Sequence, residues 1–195
     1  MLDPRIRDEM IFYATTGDYS NAERYEKFAL DCKLDAKAIE IGRTVQYLTY
    51  QWLCPVQPVH ILETASATGL TAVGVSSHLT NIGIRHVYTS LDIEHNLLRY
   101  AQARKRGHRF VQGDFERLPF ADGVFDIYIM MGAAGYRVRG TFYSEVHRVL
   151  KGRGFYVMPQ IGPSLAVDEA EKKTAVKAGL TILRKNNYLI AQKRE

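Results

Sequence analysis

The chain is short of several features, and each shortage removes a class of protein. Cysteine occurs only at Cys32 and Cys54 in 195 residues. Two cysteines make no disulfide framework, and their spacing matches no metal site. Buried or inert thiols and no bound metal are the expectation. No apolar run approaches the roughly 18 residues that a membrane span needs. The opening "MLDPRIRDEM" carries charge where a secretory signal would carry an apolar core. The reading is therefore a soluble, cytoplasmic protein without a membrane span. Internal repeats and low-complexity segments are also lacking.

What is present describes a folded chain. Hydrophobic residues make up 46% and charged residues 24%, which suits a globular protein. The length allows one α/β domain over residues 1–195, not comfortably two. The net charge of +5 permits an anionic partner without requiring one. The basic clusters at Arg104–Arg106, at Lys172 and Lys173, and at the end of the chain are small and scattered. Nucleic acid stays an allowed partner but not the favoured one.

From residue 59 the pattern alternates strand and helix, which favours a mostly parallel sheet with helices on both faces. Strands are predicted at "VHILET" (59–64), "HVYTSLD" (86–92), "RFVQGD" (109–114), "VFDIYIMM" (124–131) and "FYVMPQ" (155–160). Helices are predicted at 70–79, at 94–106, at 141–150 and near 167–178, with "KGRG" (151–154) ending the third. "LTILRK" and "YLIAQK" flank Asn186-Asn187 and read as a closing antiparallel hairpin. Residues 1–58 are helical and dense in aromatics, and read as a cap over the α/β core of 59–195. Residues 35–53 form the clearest helix there.

Ligands of such sheets bind at the carboxyl ends of the strands, so the segment after the first strand matters most. It reads "ASATGL" (65–70). A dinucleotide loop needs G-x-G-x-x-G, and a phosphate loop needs G-x-x-x-x-G-K-[ST]. Neither is present, which disfavours a nicotinamide enzyme or an NTPase. Asp92 ends the second strand, where a carboxylate can accept both hydroxyls of a ribose; the alternative is a cap on the next helix.

The chain from about 59 to 160 resembles the class I S-adenosylmethionine-dependent methyltransferases, most closely the methyltransferase type 11 group. Four segments carry the resemblance: Glu63-x-Ala65-x-Ala67-x-Gly69; "SLDIEHNLL" with Asp92; "GDFERLPF" with Asp114; and "SEVHRVLKGRG". The resemblance implies a Rossmann-like, doubly wound seven-stranded sheet with S-adenosylmethionine as cofactor. It implies cofactor contacts from Glu63, Ala65, Ser66, Ala67, Gly69, Asp92, Ile93, Asp114, Phe115, Met130 and Met131. Asp92 would take the ribose and Asp114 the adenine amino group. Phe115 would offer a backbone amide, and Glu63 would reach the methionine amino group or brace the loop. The first motif is degenerate, because Ala65 and Ala67 stand where the family pattern has glycine, and Arg153 replaces a family glycine in the last motif. Alanine is expected to exclude a positive φ at such positions.

Methyl transfer from a sulfonium relies largely on positioning, so no catalytic constellation is required. No Pro-Cys nucleophile and no [DN]-P-P-[YFW] motif follows the fourth strand, which argues against cytosine C5 and adenine amine acceptors. "GAAGYRVRG" (132–140) lies where an acceptor would bind. Tyr136 is the candidate to orient it, with Arg137, Arg139, Tyr13 and Tyr19 as further acceptor contacts. The leading expectation is a methyltransferase of a small-molecule acceptor. The alternatives are an RNA or protein methyltransferase and a non-catalytic partner subunit of the same fold. A homo-oligomer or a partner chain covering the site stays open.

Overall fold

A computed structural model describes residues 3–53, 57–131, 140–159, 169–185 and 188–195. Seven α-helices and seven strands run along these residues, with three of the helices ahead of the first strand. The helices are α1 (Pro4–Thr16), α2 (Ala22–Asp31), α3 (Leu34–Leu48), α4 (Leu70–Asn81), α5 (His95–Ala103), α6 (Gly140–Val149) and α7 (Glu169–Lys177). The strands are β1 (Val59–Thr64), β2 (His86–Asp92), β3 (Arg109–Gln112), β4 (Phe125–Met130), β5 (Leu150–Pro159), β6 (Leu180–Lys185) and β7 (Tyr188–Lys193). No described helix is long and apolar enough to cross a membrane.

The strands form one sheet in the order β3-β2-β1-β4-β5-β7-β6. β1 to β5 pair in parallel, and β7 inserts antiparallel between β5 and β6. The expected fold is therefore the observed one: doubly wound, mostly parallel, with an antiparallel hairpin at the end. Side chains alternate across each strand, so one strand feeds two cores. Ile61, Tyr88, Ile127, Ile129, Phe155 and Val157 face a layer that holds Ile41, Val45 and Leu48 of α3 and Ala72, Val75 and Leu79 of α4. Leu62, Tyr128, Met130 and Tyr156 face Phe142, Tyr143 and Val146 of α6 and Ala175 of α7.

Two expectations need correction. Residues 1–58 are not one cap. α3 belongs to the sheet-covering layer, because its apolar stripe is long enough to bury against β1, β4 and β5. Within residues 1–58, only the turn after α1 and the start of α2 reach the cavity described below. The helix expected over 35–53 also stops at Leu48 and passes into a π-helical turn, Thr49–Leu53. The second correction concerns "KGRG", expected to end α6 as a turn. β5 instead starts at Leu150, and its register with β4 shifts between Phe125 and Ile127. The extra residues 151–154 make a bulge in which Arg153 adopts φ 67°. β3 and α5 also end earlier than expected, at Gln112 and Ala103.

α3 reaches its place by close approach to α4. A Cβ on Gly74 would lie 2.5 Å from the Ala38 Cβ and 3.0 Å from the Ala38 backbone carbon, and one on Gly42 would lie 2.9 Å from the His78 Cβ. Gly74→Ala is expected to cost about 1–3 kcal/mol by overpacking this contact, read as a lower urea midpoint with an unchanged slope.

Candidate functional site

The sheet order reverses at β1 and β4, and a crevice opens there at the carboxyl ends of the strands. A cavity of about 320 Å³ occupies this end, within the range of small-molecule sites. Its floor is the segment after β1, its sides are the ends of β2 and β3, and Tyr19 and Tyr25 close it from the N-terminal helices.

The floor owes its shape to two alanines in the left-handed region. Ala65 has φ 52° and Ala67 has φ 46°. The expectation that alanine excludes positive φ here is therefore wrong. Each such residue costs about 1–2 kcal/mol, and local hydrogen bonds hold the conformation. The Ser66 amide donates to the Leu91 carbonyl at 3.1 Å, and the Gly69 amide to the Ser66 carbonyl at 2.9 Å. The Ala67 amide donates to Asp92 Oδ2 at 2.7 Å. Gly69 alone keeps its glycine, and for two reasons. Its φ is 76°, and a Cβ would lie 2.9 Å from the Arg106 Cβ.

Asp92 does two jobs. Its Oδ2 pins the loop, and its Oδ1 accepts the Glu94 amide at 2.9 Å where α5 begins. The Glu94 bond lies just ahead of α5, whose N-cap is Glu94 itself and carries no side-chain cap bond, so the cap reading is not met in its strict form. Burial pushes its carboxyl above the usual carboxylate range, against the pull of the Glu94 and Ala67 amides. Asp114 likewise lines the cavity while its Oδ1 accepts the Glu116 amide at 2.8 Å in a tight turn. Phe115 lies beside it, its ring edge-on to Phe142.

The cavity thus gathers Ala65, Ala67, Asp92, Ile93, Asp114, Phe115, Met131 and Tyr19 from the expected set. The other residues go elsewhere. Glu63 is buried between β1 and α4, where Tyr88 donates to its Oε2 at 3.0 Å. Met130 points into the opposite core, with its sulfur 3.9 Å from the Tyr156 hydroxyl. Strand alternation explains this: Met130 and Met131 cannot share a face. Ser66 and Gly69 shape the loop without lining the cavity. Tyr13 is 5% exposed and stacks behind Tyr19 at 4.9 Å, so it supports that ring instead of meeting an acceptor. Tyr136, Arg137 and Arg139 lie outside the described residues. Sequence reasoning missed Gly17, Tyr25, Leu91, Glu94, Leu97 and Gly113, all of which line the cavity. Leu91, Glu94, Leu97 and Gly113 carried a signal, since they lie in the segments that hold Asp92 and Asp114.

The lining has a charge pattern opposite to that of the whole chain. It holds three carboxylates, Asp92, Glu94 and Asp114, and no lysine or arginine among the described residues. The chain as a whole carries +5. Such a site suits a ligand with hydroxyl and amine donors or a positive charge, and it repels phosphate.

Residues 66–158 match the family model described as "Methyltransferase domain". The match spans just under half of the chain, so it stands as a similarity to that family. Curated relatives agree. A stretch of 110 residues is 36% identical to a protein of Mycobacterium ulcerans named a probable phthiotriol/phenolphthiotriol dimycocerosates methyltransferase, covering 55% of this chain and 42% of that one. A stretch of 123 residues is 29% identical to a fatty-acid O-methyltransferase of Mycolicibacterium smegmatis, covering 62% of this chain and 43% of that one. The chain thus spans less than half the length of these relatives. In fold, the chain is similar to a structure from Methanococcus maripaludis described as an S-adenosylmethionine-dependent methyltransferase. The TM-score is 0.69 at 14% identity, covering 89% of this chain and 92% of that one.

Two outcomes are expected of the loop after β1 and its support. Ala67→Gly relieves the left-handed strain and raises stability by up to about 1 kcal/mol in chemical denaturation. Glu63 gives a pH signature. Burial pushes it up to about 8, although the Thr71 and Tyr88 hydroxyls stabilise its charge. The folded state then holds a proton that the unfolded chain releases near pH 4.5, so this group's contribution falls as pH rises from about 4.5 to about 8. Glu63→Gln should therefore gain stability relative to the native chain as pH rises from 5 to 9, read as melting temperature.

Proposed function

We propose that this chain is an S-adenosylmethionine-dependent methyltransferase acting on a small, largely apolar acceptor of the lipid class. The observation that carries the reading is the cavity at the switch point, lined by three carboxylates and by no described cationic side chain. S-adenosylmethionine bears an ammonium, a sulfonium and a ribose diol and lacks a pyrophosphate, so its chemistry fits that lining. The acceptor class is suggested by the names of the relatives, which act on dimycocerosate lipids and fatty acids. A cytoplasmic location is part of the proposal.

Each residue then has a task. Asp92 accepts from the ribose hydroxyls while it keeps the loop in place. Asp114 accepts from the adenine amino group, and Phe115 and Ile93 flank the ring. Ala65 and Ala67, with Gly69 holding the turn, leave room for the methionine tail. Met131, Leu97, Tyr19 and Tyr25 complete an apolar wall that keeps water from the reacting centre. When bound, the cofactor supplies an electrophilic methyl group on a positively charged sulfur. The protein's part is to hold an acceptor in line with it, which supplies most of the acceleration such a reaction needs. Tyr136, Arg137 and Arg139 remain assigned to the acceptor side.

Titration calorimetry at pH 7.5 tests the reading. S-adenosylmethionine and S-adenosylhomocysteine should bind in the micromolar range, and Asp92→Ala should weaken both at least tenfold, about 1.4 kcal/mol or more. No binding up to millimolar cofactor would overturn the assignment and leave a non-catalytic subunit.

A further inference from the structure

Arg106 lies in the connection between α5 and β3 and does not line the cavity, yet its guanidinium joins three segments. Nη1 and Nη2 donate to the two carboxylate oxygens of Glu26 at 2.5 and 2.8 Å. Nη1 also donates to the carbonyl of Thr68 at 3.0 Å. One planar group thus connects α2, the loop after β1 and the turn that leads into β3. The pair is largely withdrawn from water, with side-chain exposures of 16% and 14%. The Arg106 stem also closes over Gly69, whose missing Cβ leaves it room.

Glu26 follows Tyr25 on α2, and Tyr25 and Tyr19 form the cavity wall opposite Asp92 and Asp114. The two rings meet edge to face at 5.6 Å. α1 is tied to α2, because Arg24 holds Glu9 at 3.0 Å and lies 3.8 Å over the Phe12 ring. At its far end α2 is anchored by Ala29, buried against the core. Mid-helix, one turn before Ala29, the fork of Arg106 on Glu26 holds α2 to the loop.

We propose that Arg106 and Glu26 are positioning residues that clamp the tyrosine wall of α2 against the loop 65–69, and so set the affinity for the methyl donor without touching it. The inference rests on the methyltransferase reading. A bidentate guanidinium–carboxylate pair fixes orientation as well as distance, which a lysine cannot reproduce. Without the clamp, α2 spends time away from the cavity, and apparent affinity falls with the fraction of closed molecules. The Thr68 carbonyl makes the coupling direct, because the same guanidinium that holds the wall also holds the floor.

The test uses the full chain with Arg106→Lys, Arg106→Met and Glu26→Gln. S-adenosylmethionine affinity is measured by calorimetry well below each melting temperature, and amide exchange over residues 19–26 is measured without cofactor. The expected result is about a tenfold loss of affinity for Arg106→Met, a smaller loss for the two conservative variants, and faster exchange over 19–26 in all three. Affinity within twofold of the native chain, with only a lowered melting temperature, would overturn the clamp and leave a stabilising ion pair. If Arg106→Met does not fold, the conservative pair carries the same comparison. A native chain that binds no S-adenosylmethionine would sink the methyltransferase reading instead. The clamp is then judged by exchange alone, and unchanged exchange over 19–26 rejects it.

Discussion

Two hydrogen bonds to one carboxylate organise this molecule's working end. Asp92 takes the Ala67 amide on one oxygen and the Glu94 amide on the other. The first bond fixes how the chain leaves β1, and the second fixes how it leaves β2. The two strands are already neighbours, paired in parallel from Val59 with His86 to Thr64 with Leu91. Beyond the strands, the carboxylate adds to the backbone bond from the Ser66 amide to the Leu91 carbonyl that continues the pairing. Burial makes the bonds strong, and it also makes the position intolerant of any side chain that cannot accept twice.

The sheet explains why these loops meet at all. β1 has its successor β2 on one side and β4 on the other, so the loops leaving β1 and β4 diverge and leave a crevice. The alternation of side chains then supplies two separate cores, one with α3 and α4 and one with α6 and α7. The cores meet the cavity at few places: Leu91 of one and Met131 of the other also line it. The rigid part of the protein and the ligand-facing part are built from the same strands but from different ends of them. This lets the loop carry strain that the cores support.

Much of this was legible in the sequence. β1, β2, β6 and β7 have the bounds that their apolar runs and flanking turns suggest, because burial in a sheet leaves a continuous local pattern. Asp92 and Asp114 were legible from their places at strand ends. The misreadings share a cause. α3 looked like part of a cap because it precedes β1 in the chain, but its place is decided by close packing on α4 through Gly42 and Gly74. The start of β5 was hidden because "KGRG" has the composition of a turn, whereas its bulge is set by pairing with β4. Tyr25 gave no local signal. It reaches the cavity only because Gly17 ends α1 and turns the chain, and an aromatic cluster of Tyr13, Tyr19 and Phe28 then fixes α2.

Ala65, Ala67 and Arg153 share one property: all three occupy a backbone conformation that glycine adopts freely. The letters have changed and the shape has not. A signature of this kind belongs to the path of the main chain, and the residues along it are tenants. How far they can drift depends on how much strain the two cores can carry. A chain with a sounder sheet can lose more of its glycines before the path itself gives way.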